Sequence, residues 1–183
     1  MRTLKTKRKQ GVGHKPHKEI ERKFLIKKLP KNFRKFPKNS VWQGYIVIMP
    51  DMKSFVRLRR EGGLYSQTIK RGSGKIRDEY EITLTPAQFK SLWLTTEGRR
   101  VRKTRYYIKS GKETIILDIF HGPLKGLIMV EVEFRTEKEC DAFIPPKWFG
   151  KEVTEDRRYS NQSLATNGLP TSASENLTKR GAL

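Results

Sequence analysis

The side chains able to do chemistry in this sequence are carboxylates, guanidiniums and ammoniums, and many recur at a spacing of two. Glu19, Glu21 and Lys23 alternate with Ile20, Arg22 and Phe24, and Arg57 and Arg59 stand opposite Val56 and Leu58. Arg77, Glu79 and Glu81 face away from Tyr80 and Ile82, Lys103 and Arg105 from Thr104 and Tyr106, and Glu131 and Glu133 from Val130, Val132 and Phe134. Asp118 interrupts an apolar run between Leu117 and Ile119, and Lys70 follows Ile69 in the same manner. Residues i, i+2 and i+4 of a strand share a face, so each set projects to one side. An antiparallel sheet with one solvated face alternates in this way too, and for any single strand that plain reading is the stronger one. Across the whole set it fits less well. Solvated faces mix Thr, Ser and Gln with lone charges, whereas here acidic pairs and basic pairs fill whole strands.

Two carboxylates one strand repeat apart repel unless a cation sits between them, and an Arg pair repels unless an anion bridges it. At 4 Å such a like pair costs about 1 kcal/mol in water and about 4 kcal/mol at an effective dielectric of 20. Both kinds on one concave wall make sense if the wall binds a metal ion together with a multiply charged anion. Carboxylates without a His or Cys cluster favour a hard ion, Mg²⁺ or Mn²⁺, which takes few protein ligands and fills its shell with water and phosphate oxygens. Arg offers bidentate forks for phosphate and Lys offers point charges. Phosphoryl transfer needs positioning and charge stabilisation more than a covalent nucleophile. The one cysteine, Cys140, falls on an expected helix away from this face.

Those charges need a scaffold, and 183 residues suffice for one domain with a sizeable core. Lys and Arg number 40 against 19 Asp and Glu, a formal net charge of +21 that draws polyanions of several kinds. A single cysteine excludes an intrachain disulfide and makes a reducing, cytoplasmic setting the expectation. The apolar stretches are strand-length and carry acids, so none reads as a membrane span.

Residues 1–17 are rich in Lys and Arg and hold no acid, which reads as a disordered basic arm, suited to a polyanion contact. Residues 18–165 form the domain, and 166–183, dominated by Gly, Pro, Ser, Thr and Asn, read as a disordered tail. Period-two patterning predicts strands at 19–27, 41–48, 54–60, 64–71, 76–84, 100–109, 113–120 and 127–135. Gly62-Gly63 and Gly72-Ser-Gly74 mark hairpin turns. Thr85 as N-cap with Pro86 at the first helical position predicts a short helix to Trp93. Thr136 with Glu139 predicts a second helix through a capping box, and a third is expected from about Thr154. Trp42, Trp93 and Trp148 read as packing anchors and His121 as a loop residue.

Glu19-Ile-Glu21-Arg-Lys23 resembles the E-x-E-x-K signature of the CYTH superfamily, the triphosphate tunnel metalloenzymes. The likeness continues in order through Gln43-Gly-Tyr45, Arg57-Leu-Arg59, Thr68-Ile-Lys70, Arg77-Asp-Glu79-Tyr-Glu81, Lys103-Thr-Arg105, Leu117-Asp118 and Glu131-Val-Glu133, and on to the Glu152–Asn161 stretch. It is most like the short, single-domain bacterial inorganic triphosphatases. The resemblance implies an α+β fold, a closed antiparallel β-barrel or tunnel of about eight strands with a few helices packed outside. It implies metal-dependent hydrolysis of tripolyphosphate to pyrophosphate and phosphate, with Mg²⁺ or Mn²⁺ as cofactor. Glu19, Glu21, Asp118, Glu131 and Glu133 would hold or orient metal, and Glu79 and Glu81 would hold basic groups or join a second metal site. Lys23, Arg57, Arg59, Lys70, Arg77, Lys103 and Arg105 would line the triphosphate path, with Lys23 and Lys103 counted together with Tyr45 as catalytic. Tyr45 would stand near one mouth, and Arg157 or Arg158, on the third helix, would plug the other. The long basic arm and the high net charge depart from the family's short members.

An adenylyl cyclase and a thiamine or nucleoside triphosphatase share that fold and stay open as alternatives. So does a non-enzymatic polyphosphate or nucleic-acid binder. Most strand aromatics (Phe24, Phe55, Tyr80, Tyr106 and Phe134) are read on the apolar face, away from the charges, where they could not stack bases along them. Monomer and homodimer are equally compatible with the sequence.

Overall fold

The computed structural model describes residues 17–50, 54–71, 76–111 and 113–170, and the side chains of 17, 18, 76 and 77 lie outside the description. The expected arm, up to residue 16, and the expected tail from residue 171 also lie outside the described residues. Among those described, the chain is α+β: a nine-stranded antiparallel sheet with three α-helices. The strands are β1 (His17–Ile26), β2 (Lys38–Ile48), β3 (Phe55–Glu61), β4 (Leu64–Arg71), β5 (Ile76–Thr83), β6 (Arg100–Ser110), β7 (Glu113–Phe120), β8 (Ile128–Phe134) and β9 (Phe149–Glu152). The helices are α1 (Pro86–Trp93), α2 (Glu137–Ala142) and α3 (Asn161–Asn167).

Neighbours in the sheet run β5-β4-β3-β2-β6-β7-β8-β1-β9, and β1 also pairs with β5 in the register Glu19↔Arg77. Each pairing is antiparallel, and the register brings the charges into cross-strand contact: Glu21 opposite Glu133, Lys23 opposite Glu131 and Arg105 opposite Asp118. Gly62 and Gly63, with φ of 57° and 87°, make the two-residue turn between β3 and β4, whose positive φ values match the twist of a hairpin.

Apolar residues of the opposite parity form the larger core. Ile20, Phe24, Tyr106, Leu117, Val130 and Val132 pack there beneath Cys140 of α2 and Phe149 of β9. A second core lies on the charged parity but at one end: Val101, Phe120 and Met129 are closed over by Leu124, Val153, Tyr159 and Leu164. One side of β6 therefore runs from apolar Val101 to charged Lys103 and Arg105, and the seal at Val101 keeps water from one end of that charged stretch.

The helix signals divide. Thr85 caps α1, with the Thr85 hydroxyl accepting from the Gln88 amide and the Gln88 side chain accepting from the Thr85 amide. Thr136 caps α2 by accepting from the Glu139 amide, but the Glu139 carboxylate accepts from Arg135 N–H, one residue before the cap. The third helix does not begin near Thr154, because the Thr154 hydroxyl accepts from the Lys23 amide and donates to Glu152, tying that residue to β1 and β9. A 3₁₀ turn at Arg157–Tyr159 follows, and α3 starts after Ser160, whose hydroxyl accepts from Ser163 N–H. It runs two residues past the boundary expected at 165. β9 was not expected: with a length of 4 residues it is too short to show a period.

Candidate functional site

Six strands and one helix contribute side chains to a single charged cavity. β1 supplies Glu19, Glu21 and Lys23, β2 Tyr45, β3 Arg57 and Arg59, β4 Lys70, β6 Arg105, and β8 Glu131 and Glu133, while α3 adds Asn161 and Gln162. Lys23, Arg57, Lys70 and Arg105 are buried, as are Glu21 and Glu131. Burying charge is expensive unless it is paired, and pairing is what the geometry provides. Lys23 lies 2.5 Å from Glu21 and 4.0 Å from Glu131. Lys70 lies 2.5 Å from Glu19 and 2.8 Å from Glu79, and Arg57 is 3.6 Å from Glu79. Arg105 forks onto Asp118 with two bonds of 2.8 Å and reaches Glu131 at 3.0 Å.

The pairing is incomplete on the cationic side. Among the described residues, Arg57 Nε and Arg59 Nε are buried donors with no acceptor. Burial, then the charges of Arg57 and Arg105, lowers Arg59 to about 10. Lys70 is pushed down by burial and then by Arg57, against the pull of Glu19 and Glu79. An anion among these groups would satisfy the orphaned donors and relieve the crowding of like charge.

The acidic side is uneven too. Burial would raise Glu131, but Lys103, Lys23 and Arg105 together hold it well below the usual carboxylate range. Glu133 is open in surface area yet ringed by protein atoms near its carboxylate, and there burial, then Glu131 and Glu19, raises its pKa. Among the described residues no cation lies within 4.0 Å of Glu133. No group of three His, Cys, Asp or Glu side chains among them is placed to hold a metal ion alone.

Lys103 and Asp118 lie beneath the cavity rather than on its lining. Lys103 Nζ contacts Asp118 at 2.5 Å and Asn161 Oδ1 at 3.2 Å, and it stands 5.1 Å over the Phe120 ring. Burial lowers Lys103 to about 8 despite that carboxylate. Asp118 moves the opposite way in charge preference: burial would raise it, but Arg105 and Lys103 outweigh that and lower it. The two directions agree once the carboxylate is seen as shared, with Arg105 taking the bidentate contact and Lys103 keeping one edge. Arg105 is itself held far above its ordinary value, burial being outweighed by Asp118.

Other expected site residues lie in varied places. Glu79 sits between Arg57 and Lys70, while Glu81 is exposed and accepts from the Thr68 hydroxyl, which in turn accepts from Arg57. The side chain of Arg77 lies outside the described residues. Arg157 and Arg158 are both exposed, and Arg158 pairs with Asp156 at 2.7 Å; the structure brings neither to the cavity. Asn161 and Gln162 stand there instead. Tyr45 is fully buried, its hydroxyl accepts from Gln43 Nε2, and burial raises it to about 12.

The sequence pattern assigns no site role to Asn161, Gln162, Gln43, Thr68 or Phe55. Gln43 shares the parity of Tyr45, and Phe55 that of Arg57, so period two could have found both. Phe55 faces the cavity, 5.3 Å from Tyr45, and not the apolar side on which it was expected.

No family model matches the chain. It is 48% identical over 151 residues to an inorganic triphosphatase of Nitrosomonas europaea, covering 80% of this chain and 96% of that protein. It is 32% identical over 152 residues to an inorganic triphosphatase of Acetivibrio thermocellus, covering 82% and 94%. A solved inorganic triphosphatase superposes with a TM-score of 0.63 at 44% identity, over 83% of this chain and 97% of that one. A conserved hypothetical protein of Pyrococcus furiosus, at 16% identity and a TM-score of 0.50 over 68% and 83%, shares the fold alone.

Proposed function

The chain belongs to the inorganic triphosphatases of the CYTH superfamily, and from that premise we propose that its charged cavity binds tripolyphosphate and hydrolyses it to pyrophosphate and phosphate. The observation that carries the reading is that buried Arg57 and Arg59 Nε find no acceptor among the described residues, set among cations that burial and mutual repulsion destabilise. A linear polyanion supplies the missing acceptors along the length of the cavity.

The reading includes closure of the sheet into a tunnel. Its support is that β5, at one end of the strand order, pairs with β1 as well as with β4, while β9 lies on the other part of β1. The apolar seal of Val101, Phe120 and Met129 makes one end blind, so a substrate enters from the other and its length is read against Asn161 and Gln162.

In this scheme Arg57, Arg59, Lys70, Arg105 and Lys23 hold phosphate oxygens through charge-assisted bonds. Lys103 and Asp118 act as positioning residues, fixing Arg105 and Asn161 from below. Glu79 orients Arg57 and Lys70, and Glu81 acts one step further out through Thr68. Tyr45, kept protonated by its raised pKa, has a phenol available to donate. Glu19, Glu21, Glu131 and Glu133 line the cavity together and would hold Mg²⁺ or Mn²⁺ with phosphate oxygens completing the shell, an all-oxygen donor set that fits a hard ion. When bound, such an ion would neutralise phosphate oxygens and lower the pKa of water. In the overall hydrolysis a water oxygen bonds to a terminal phosphorus, the bridging oxygen departs with pyrophosphate, and the proton lost by the water passes to solvent or to a product phosphate oxygen. Among the described residues no helix is long and apolar enough to cross a membrane, and a cytoplasmic setting is part of this proposal.

Phosphate release from tripolyphosphate, ATP and thiamine triphosphate, each with Mg²⁺, Mn²⁺ or excess chelator, tests the assignment. Preferential hydrolysis of tripolyphosphate, abolished by the chelator, is expected. Formation of a cyclic nucleotide from ATP, or no release from tripolyphosphate with either metal, would overturn it.

A further inference from the structure

The side of the sheet facing away from the cavity carries a second feature, which the hydrolytic reading does not use. Tyr65, Arg60, Trp42 and Arg102 are direct cross-strand partners on β4, β3, β2 and β6, so they form one row across four adjacent strands. At the usual strand spacing of about 4.8 Å the row is roughly 14 Å long, and it alternates aromatic with cation. The Arg60 guanidinium lies 5.5 Å from the Trp42 ring and 5.9 Å from Tyr65, and that of Arg102 lies 5.7 Å from Trp42 on its other flank. Both arginines are exposed, and neither has an ion-pair partner among the described residues.

Beside Trp42 the row opens into a groove of about 520 Å³, whose walls include Trp93, Arg100 and His121 and no described carboxylate. Arg100 stands 4.6 Å over the Trp93 ring, and the two Trp rings are 6.3 Å apart. The cavity offers a contrast: each of its cations has acids near it, whereas here the cations are interleaved with half-exposed indole and phenol rings. A ring offers a face for a planar base, and an unpaired guanidinium offers a fork for phosphate. A duplex keeps its bases stacked inside, so only an open strand can use both. The net charge of +21 adds long-range attraction for the same class of polymer.

We propose that this outer face binds single-stranded nucleic acid, with bases stacking on Trp42 and the neighbouring rings and phosphates held by Arg60 and Arg102. The site is separate from the cavity and independent of the reaction proposed there.

The test measures binding of a labelled oligoadenylate to the full chain by fluorescence anisotropy across a salt series, with long-chain inorganic polyphosphate titrated in parallel. Trp42→Leu is expected to weaken oligoadenylate binding about tenfold, from the loss of base stacking, while leaving polyphosphate binding unchanged. Arg60→Gln with Arg102→Gln is expected to make the slope of log K against log salt shallower by about 1.4, the contribution of two phosphate contacts on a single strand. Tripolyphosphate hydrolysis at the wild-type rate in each variant checks that the fold is intact. Absence of oligoadenylate binding by the wild type at low salt would overturn the proposal. So would equal affinity of wild type and Trp42→Leu, or equal losses on oligoadenylate and polyphosphate, since these mean contact with any polyanion. If Trp42→Leu does not fold, the unchanged salt slope of the double Arg variant overturns it by itself.

Discussion

Lys103→Met probes whether burial or ion pairing governs the charge beneath the cavity. Lys103 is fully buried and its pKa falls from 10.5 to about 8 because burial outweighs Asp118. In the folded state it therefore binds fewer protons than in the unfolded state between those two values. Stability consequently rises with pH across that window and is unaffected by this group below it. A displacement of that size corresponds to about 3 kcal/mol at full titration, with about 2–3 kcal/mol already gained by pH 10. Urea unfolding of wild type and Lys103→Met, at half-unit steps from pH 7 to 10, isolates the effect in the difference between the two curves. Other groups titrate in both proteins and cancel, and Arg105 still pairs with Asp118 in the variant. The difference should be level up to about pH 8 and then move in favour of the wild type. A difference constant to within about 0.5 kcal/mol would mean that Lys103 keeps an ordinary pKa in the folded protein. A slope of the opposite sign would show that the shared carboxylate holds the ammonium more strongly than burial expels it.

Asp118→Asn should cost about 3–5 kcal/mol in unfolding free energy at neutral pH, since Arg105 and Lys103 lose the carboxylate both contact inside the protein. In the wild type that contribution is present above the usual carboxylate range and disappears as pH falls through the depressed folded value, so an acid titration of stability should separate the two proteins least at the lowest pH. Arg59→Ala removes a guanidinium with an unmet donor and should lower kcat/KM for tripolyphosphate by tenfold or more, consistent with about 1.5–3 kcal/mol for bonds to charged groups, with unchanged urea stability as the control. Gly44→Ala places a Cβ 2.6 Å from Thr96 Oγ1 and 2.9 Å from the Trp93 ring, where the strand passes beneath the end of α1. Thermal unfolding should show a loss of about 1–3 kcal/mol, and an unchanged midpoint would mean that the contact relaxes freely.

Which face of each strand carries charge is legible in one dimension, because a period of two follows directly from backbone pleating and needs no knowledge of neighbours. That parity unites Glu19, Glu21 and Lys23, and likewise Arg57 with Arg59. The start of α1 is legible too, because its capping box is a local arrangement of Thr85, Pro86 and Gln88. Which strand lies beside which emerges only on folding, and with it the partners: Glu79 between Arg57 and Lys70, and Asp118 divided between Arg105 and Lys103. Folding likewise brings Asn161 and Gln162, not Arg157 and Arg158, to the cavity. The Thr154 hydroxyl spends its bonds on Lys23 and Glu152, residues about 130 and 2 positions away, which delays the helix until Ser160. A local pattern cannot report bonds to a distant strand. Depth is also invisible in one dimension. Lys103 and Arg105 look alike as alternating cations, yet the apolar seal around Val101 leaves Lys103 beneath the lining and Arg105 upon it.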